Sequence, residues 1–196
     1  MNSVQRGYYT YPTVRPVTWQ RITAIRSAMP LGSRIIDLGC NDGTISTMLL
    51  RSGHASSVIG LDFADIRLRK RPDFQFIEAD LRSFDLTTLP NVDVILCLNV
   101  LHHMCIGGPD FARDFMRTLA SKADLVMCDM GSMSERGRHL WLMRMQATWQ
   151  TDENCWNDLF SPFAAREPLL KYSFQDGERT LWKLTANAAR SLNAAA

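Results

Sequence analysis

At 196 residues with 46% hydrophobic content, the chain can bury one substantial core, and it is expected to form a single domain over residues 1–196, since a second would have to be very small. Twenty-two Lys and Arg against twenty Asp and Glu leave a formal charge of +2, which excludes a global field of the kind that holds a protein on nucleic acid or an anionic membrane, while local anion sites remain open. No apolar run is long enough to span a bilayer and no apolar leader follows Met1, so a cytoplasmic location and no membrane partner are expected.

Residues 1–14 carry Arg6, Tyr8, Tyr9, Tyr11 and Pro12 without periodicity and read as an arm that either covers a sheet edge or closes over a ligand. From Arg15 to Met29, Trp19, Ile22, Ile25 and Met29 recur at helical spacing, and Pro30-Leu31-Gly32 stops the pattern. The stretch from Ser33 to Ser46 then reads as a short buried strand over 34–38, a glycine-bearing turn, and a helix presenting Ile45, Met48 and Leu49 before it ends near Gly53. Gly39 and Gly43 permit dihedrals and a close ligand approach that a Cβ would block, and Thr44 onward offers unpaired helix N–H groups. Asn41 and Thr44 break the Gly-x-Gly-x-x-Gly pattern, so a pyrophosphate cradle for NAD is not expected.

A second strand over 57–61 closes on Asp62, about twenty residues past the turn, where a carboxylate suits the two hydroxyls of a ribose. Phe63 either flanks an adenine or joins the core. Arg67, Arg69, Lys70 and Arg71 read as a solvated face rather than a nucleic-acid patch. The third strand, 74–79, runs into Asp80-Leu81, where the carboxylate either accepts from a ligand amino group or simply caps the next turn. The near-continuous apolar run from Val92 to Leu98 fits a central strand covered on both faces. It is followed by Asn99-Val100-Leu101-His102-His103-Met104, in which either histidine could serve as a general base or simply pack and hydrogen-bond.

Gly107-Gly108-Pro109-Asp110 opens a helix with Phe111, Phe115, Met116 and Leu119 on one face, and a fifth strand over 124–128 ends at Asp129. That carboxylate either orients a substrate or is an ordinary strand end. Residues 131–168 are aromatic-rich: Gly-Ser-Met-Ser opens a helix bearing Trp141, Met143, Met145 and Trp149, and a looser segment carries Trp156, Phe160 and Phe163. The segment is read either as a substrate lid, in which Arg136, His139 and Arg144 meet an anionic acceptor, or as plain core packing. Two strands over 169–174 and 179–184, joined at Asp176-Gly177, form a terminal hairpin, and 187–196 is a tail. The five cysteines (40, 97, 105, 128 and 155) lack C-x-x-C spacing and read as reduced core residues, and no metal-ligand constellation stands out, so no metal is expected.

Asp-Leu-Gly-Cys-Asn-Asp-Gly resembles the first motif of class I S-adenosylmethionine (SAM) methyltransferases, with Asn41 in place of the middle glycine, a substitution found in several subfamilies. Leu-Asn-Val-Leu-His-His resembles their fourth motif, and the closing hairpin resembles their sheet order 3-2-1-4-5-7-6. The resemblance implies a Rossmann-like, mostly parallel seven-stranded α/β sheet with helices on both faces and an antiparallel terminal hairpin. It implies a cofactor site of Asp37, Gly39, Asn41, Gly43, Asp62, Phe63, Asp80, Leu81 and Asn99, with Asp80 meeting the adenine amino group. It further implies O-methylation of a small-molecule or glycan/phosphate acceptor, with S-adenosylhomocysteine as product; a hydroxyl acceptor needs a base, for which His102, His103 and His139 are the candidates. An RNA-end methyltransferase and an inactive SAM-binding subunit are the alternatives.

Overall fold

The computed structural model describes residues 16–63, 72–174 and 177–187. The aromatic arm, the Arg67–Arg71 run, Asp176 at the hairpin turn and most of the C-terminal tail lie outside the described residues. Seven strands form one sheet in the order β3-β2-β1-β4-β5-β7-β6, as the sequence implies. They are β1 (Ser33–Leu38), β2 (Ala55–Asp62), β3 (Phe74–Glu78), β4 (Val92–Leu98), β5 (Ala123–Asp129), β6 (Ala165–Phe174) and β7 (Gly177–Thr185). The first five pair in parallel, and β7 runs antiparallel between β5 and β6.

Helices α1 (Pro16–Ala28), α2 (Thr44–Arg51), α3 (Leu101–Met104), α4 (Pro109–Lys122), α5 (Leu140–Trp149) and α6 (Asp152–Leu159) cover the two faces. Strand periodicity decides which residues meet which layer. Ile36, Leu38, Ile95 and Cys97 join the core under α4, α5 and α6, whereas Ile35, Val94 and Leu96 join the core on the side of α1 and α2. Both faces of β4 are therefore apolar. Each fully buried Leu or Ile contributes roughly 1.5–3 kcal/mol. Strand β6 lies at the sheet edge, where Pro168 costs no interior ladder hydrogen bond and sits beside a register shift. All five cysteines are free and buried.

Two expectations change. In α1, Trp19 is 47% exposed, and the inward row is Thr18, Arg21, Ile22 and Ile25. These polar residues face inward because a buried carboxylate and a cavity wait beneath them. Of the two readings of 131–168, lid or core packing, the described side chains favour packing: Trp141, Met145, Trp149, Leu159, Phe160 and Phe163 are buried in the larger apolar cluster, and none of them borders the cavity. The segment forms two helices rather than a helix and a looser tail, because Gln150 turns the chain at φ 65° and Thr151 caps α6 by accepting from Asn154 N–H at 3.2 Å.

Candidate active site

The turn between β1 and α2 is fixed by backbone. Gly39 and Cys40 N–H groups donate to Leu61 O at 2.7 and 3.0 Å, which ties the turn to the end of β2. Gly39 has φ 69°, and a Cβ there would lie 2.5 Å from Val100 Cγ2, so only glycine brings the turn this close to the end of β4. Gly43, at φ 66°, sits behind the turn as the residue that starts α2. The carboxyl ends of β1, β2 and β4 then open on a cavity of about 690 Å³, within the size range of small-molecule and cofactor sites.

Asp37, Gly39, Asn41, Asp62, Phe63, Asp80, Leu81, Asn99 and His103 all border this cavity. Asp62 is 6% exposed, and its carboxylate accepts from Asn41 N–H at 2.8 Å and from Phe63 N–H at 2.7 Å. The two oxygens of a carboxylate suit the two hydroxyls of a diol. Asp37 accepts from Ser46 Oγ at 2.6 Å, and burial pushes its pKa up to about 6, with the Ser46 bond opposing and the Asp62 charge adding to the rise. Asp80 is gripped by Arg82 through Nε at 3.0 Å and Nη2 at 2.6 Å, which holds its carboxyl below the usual range. An adenine amino group would therefore share Asp80 with Arg82.

The residues present fit a nucleoside-bearing amino acid. The hollow is open, and Asn41 Oδ1 is a buried acceptor with no hydrogen-bond donor among the described residues. It is the kind of atom that a ligand ammonium or hydroxyl satisfies. Among the described residues no three His, Cys, Asp or Glu side chains converge on a metal position, and no described helix is long and apolar enough to cross a membrane.

The expected catalytic pair separates. His103 borders the cavity, and desolvation together with the charges of Arg179, Arg82 and His139 lowers its pKa, so the ring is neutral at pH 7. His102 points elsewhere. It is 4% exposed, its Nδ1 accepts from Gly131 N–H at 3.1 Å, and its ring meets Trp141 edge-on at 4.8 Å. Burial lowers its pKa well below the ordinary value and leaves it a neutral packing residue. The expected substrate residues Arg136, His139 and Arg144 are all exposed and none borders the cavity; His139 instead stacks on Trp141 at 5.5 Å. They point outward because the segment that carries them turns its aromatic side to the core.

The sequence reading missed Thr18, Arg21, Arg82 and Ile106, which also border the cavity, and the polar frame behind it. In that frame Asp129, fully buried, accepts from Asn99 N–H at 2.7 Å and Tyr172 OH at 2.8 Å and pairs with Arg21 at 2.7 Å. Arg179 of β7 reaches Asn99 Oδ1 at 2.7 Å. The one signal available beforehand was the polar pair Thr18 and Arg21 at i, i+3 in an otherwise amphipathic helix.

This sheet order, with a glycine turn after β1, a carboxylate closing β2 and an open hollow above them, is the arrangement of the class I SAM-dependent methyltransferases. The model of one family, the FtsJ-like methyltransferases, matches residues 22–163, and the chain belongs to that family. A 99-residue stretch, 48% of this chain, is 35% identical to the trans-aconitate 2-methyltransferase of Acidovorax sp. (strain JS42), and the match spans only 37% of that protein's length. Among solved structures, the N-terminal domain of EvdMO1 with SAH bound is similar at a TM-score of 0.65 and 18% identity, over 85% of this chain and 80% of that one. The N-methyltransferase NodS from Bradyrhizobium japonicum WM9 is similar at a TM-score of 0.59 and 12% identity, over 86% and 94%. At these identities the likeness is one of fold.

Proposed function

We propose that the chain transfers the methyl group of SAM to an oxygen of a small-molecule acceptor. The observation that carries this reading is the open hollow of about 690 Å³ above the Gly39 turn, with Asp62 facing it and a neutral imidazole, His103, on its wall. In this reading Asp62 accepts the ribose hydroxyls, Phe63 and Leu81 flank the adenine, Asp80 accepts from its amino group, and Asp37 and Asn41 meet the methionine end. The bound cofactor supplies an electrophilic sulfonium methyl. Holding the nucleophile against it can account for roughly 7–11 kcal/mol of the barrier at the extreme. His103 accepts the acceptor's proton. The trans-aconitate and the D-fucose in the names of two similar proteins are both oxygen-bearing small molecules.

Saturation with SAM or SAH at a hundredfold over Kd is expected to add about 2.7 kcal/mol, a melting rise of roughly 5–11 °C for a chain of this length. Asp62→Ala should remove most of that rise, and NAD should give none. A scan in which NAD stabilises and SAM does not would end the proposal.

The pH profile tests His103. The groups facing it are Arg179 from β7, Arg82 from the loop after β3, His139 and the neighbouring His102. They and desolvation lower its pKa, so the rate should be flat through neutral pH and fall only once pH drops below the ordinary histidine value of about 6.5. His103→Gln should lose roughly a hundredfold or more in kcat and flatten that limb with SAM affinity kept. His102→Gln should lower stability and leave the limb in place.

A further inference from the structure

We propose that Arg179 is a positioning residue that holds the Asn99 side-chain amide donor-first against the cavity, and that this orientation selects a hydroxyl acceptor over an amine. The inference rests on the methyl-transfer reading above and goes on to assign the acceptor chemistry of the same site.

A guanidinium can only donate. The atom of Asn99 facing Arg179 Nη1 at 2.7 Å must therefore be the amide oxygen, which turns Nδ2 the other way. Asn99 Nδ2 makes no hydrogen bond within the described residues and is not sealed from solvent, and the open space that Asn99 borders is the cavity it shares with His103. Arg179 is itself immobilised. It is 5% exposed, its Nε and Nη2 grip Glu135 at 2.7 and 2.8 Å, and its guanidinium carbon lies 4.1 Å from the Phe174 ring centroid. Glu135 is fixed in turn by Ser132 N–H at 2.9 Å. The Asn99 backbone, at φ 60°, is held by its N–H bond to Asp129, so the orientation of the side-chain amide is left to its bond with Arg179.

A hydroxyl matches this wall. Its oxygen has one hydrogen and two lone pairs: the hydrogen goes to His103, one pair accepts from Asn99 Nδ2, and the other attacks the methyl carbon. The O–C bond forms as the C–S bond breaks, the electron pair stays on sulfur, and the proton ends on His103. A neutral amine has a single lone pair, and a donor facing it competes with the attack. A site built to bond a hydroxyl discriminates strongly against an analogue that cannot make that bond.

The test is incubation of the full chain with methyl-labelled SAM and matched pairs that share a carbon skeleton: lactate with alanine, malate with aspartate, and D-fucose with its 3-amino-3-deoxy analogue. The wild-type protein is expected to label the hydroxyl of the hydroxy members roughly a hundredfold faster than the amine of the amino members, the labelled atom being read by product mass spectrometry because the acid pairs share their carboxylates. Asn99→Asp pairs with Arg179 and turns an acceptor oxygen to the cavity, so this preference should fall at least about tenfold or invert. Arg179→Met frees the amide to rotate and should lower the same preference through kcat, with SAH affinity kept. Because that change strands Glu135, the double variant Arg179→Met/Glu135→Gln serves as the folded companion and should behave alike. Faster labelling of the amino members by the wild type, an unchanged preference in Asn99→Asp, or no label on either set from a protein that SAH stabilises overturns the inference. A wild-type protein that neither SAM nor SAH stabilises removes the reading beneath it, and the inference falls with that reading.

Discussion

Asp129→Ala is expected to cost about 3–5 kcal/mol, the range for breaking a buried ion pair by removing one member. Arg21 and Asp129 have side chains 5% and 0% exposed, so their attraction is little screened by solvent. Tyr172 OH and Asn99 N–H lose their acceptor in the same step. Against a total stability of about 5–15 kcal/mol, the melting temperature should fall by roughly 6–20 °C. Asp129→Asn keeps an acceptor for these donors but removes the charge, and should fall between. Adding Arg21→Met to Asp129→Ala should recover part of the loss, which calorimetric melting of the three variants would read directly. A change of less than about 1 kcal/mol in Asp129→Ala would mean that the pair is solvated and the frame behind the site is loose.

Asp37→Asn is expected to do the opposite to the ligand-free protein. Burial raises the Asp37 pKa from 3.8 to about 6, so at neutral pH the folded state carries an ionised carboxylate that it would rather hold protonated. A raised carboxyl pKa contributes stability that is present below the unfolded value near 4 and lost as pH rises through about 6. At pH 7 the charge therefore destabilises by up to ~3 kcal/mol, and the neutral amide should recover ~1–3 kcal/mol of that. Its oxygen can still accept from Ser46. The gain should be absent at pH 4, open between pH 4 and 6 and stay level above. SAM carries an ammonium and a sulfonium, so the same substitution should weaken its binding by roughly tenfold or more. Paired melts across pH with and without SAM would show both signs. A variant that melts lower than the wild type at pH 7 would show that the Asp37 charge is compensated by Arg21.

Much of the fold was legible because its signals are local. The apolar run Val92–Leu98 can be covered only from both sides, which makes it a central strand, and the Gly39 turn needs a backbone that few residues allow. The five parallel strands and the closing hairpin follow from such patterns. The site was legible where strand ends converge by topology: Asp37, Asp62 and Asn99 end β1, β2 and β4, and they meet because those strands are neighbours.

The readings that the sequence left open share a cause. His102 and His103 are adjacent, yet a helix turns about 100° per residue, so one faces Trp141 and the other the cavity. Composition left residues 131–168 open between a cationic aromatic lid and core packing, and it took the folded chain to send the aromatics to the core and Arg136 and Arg144 to the surface. Arg179 and Glu135 carried no mark at all, being 44 residues apart in the chain.

The sequence alone determined the period of each element, the bend at Gly39 and hence the class of sheet and the end of it that opens to a ligand, since these depend on residues within one turn or strand of each other. Only the tertiary structure decided that Arg21 rather than Trp19 turns inward, that Asp129 anchors the frame, and that Arg179 faces the Asn99 amide. Those choices are made between side chains brought together from distant strands, where burial makes each buried donor or charge require a partner that no local pattern names.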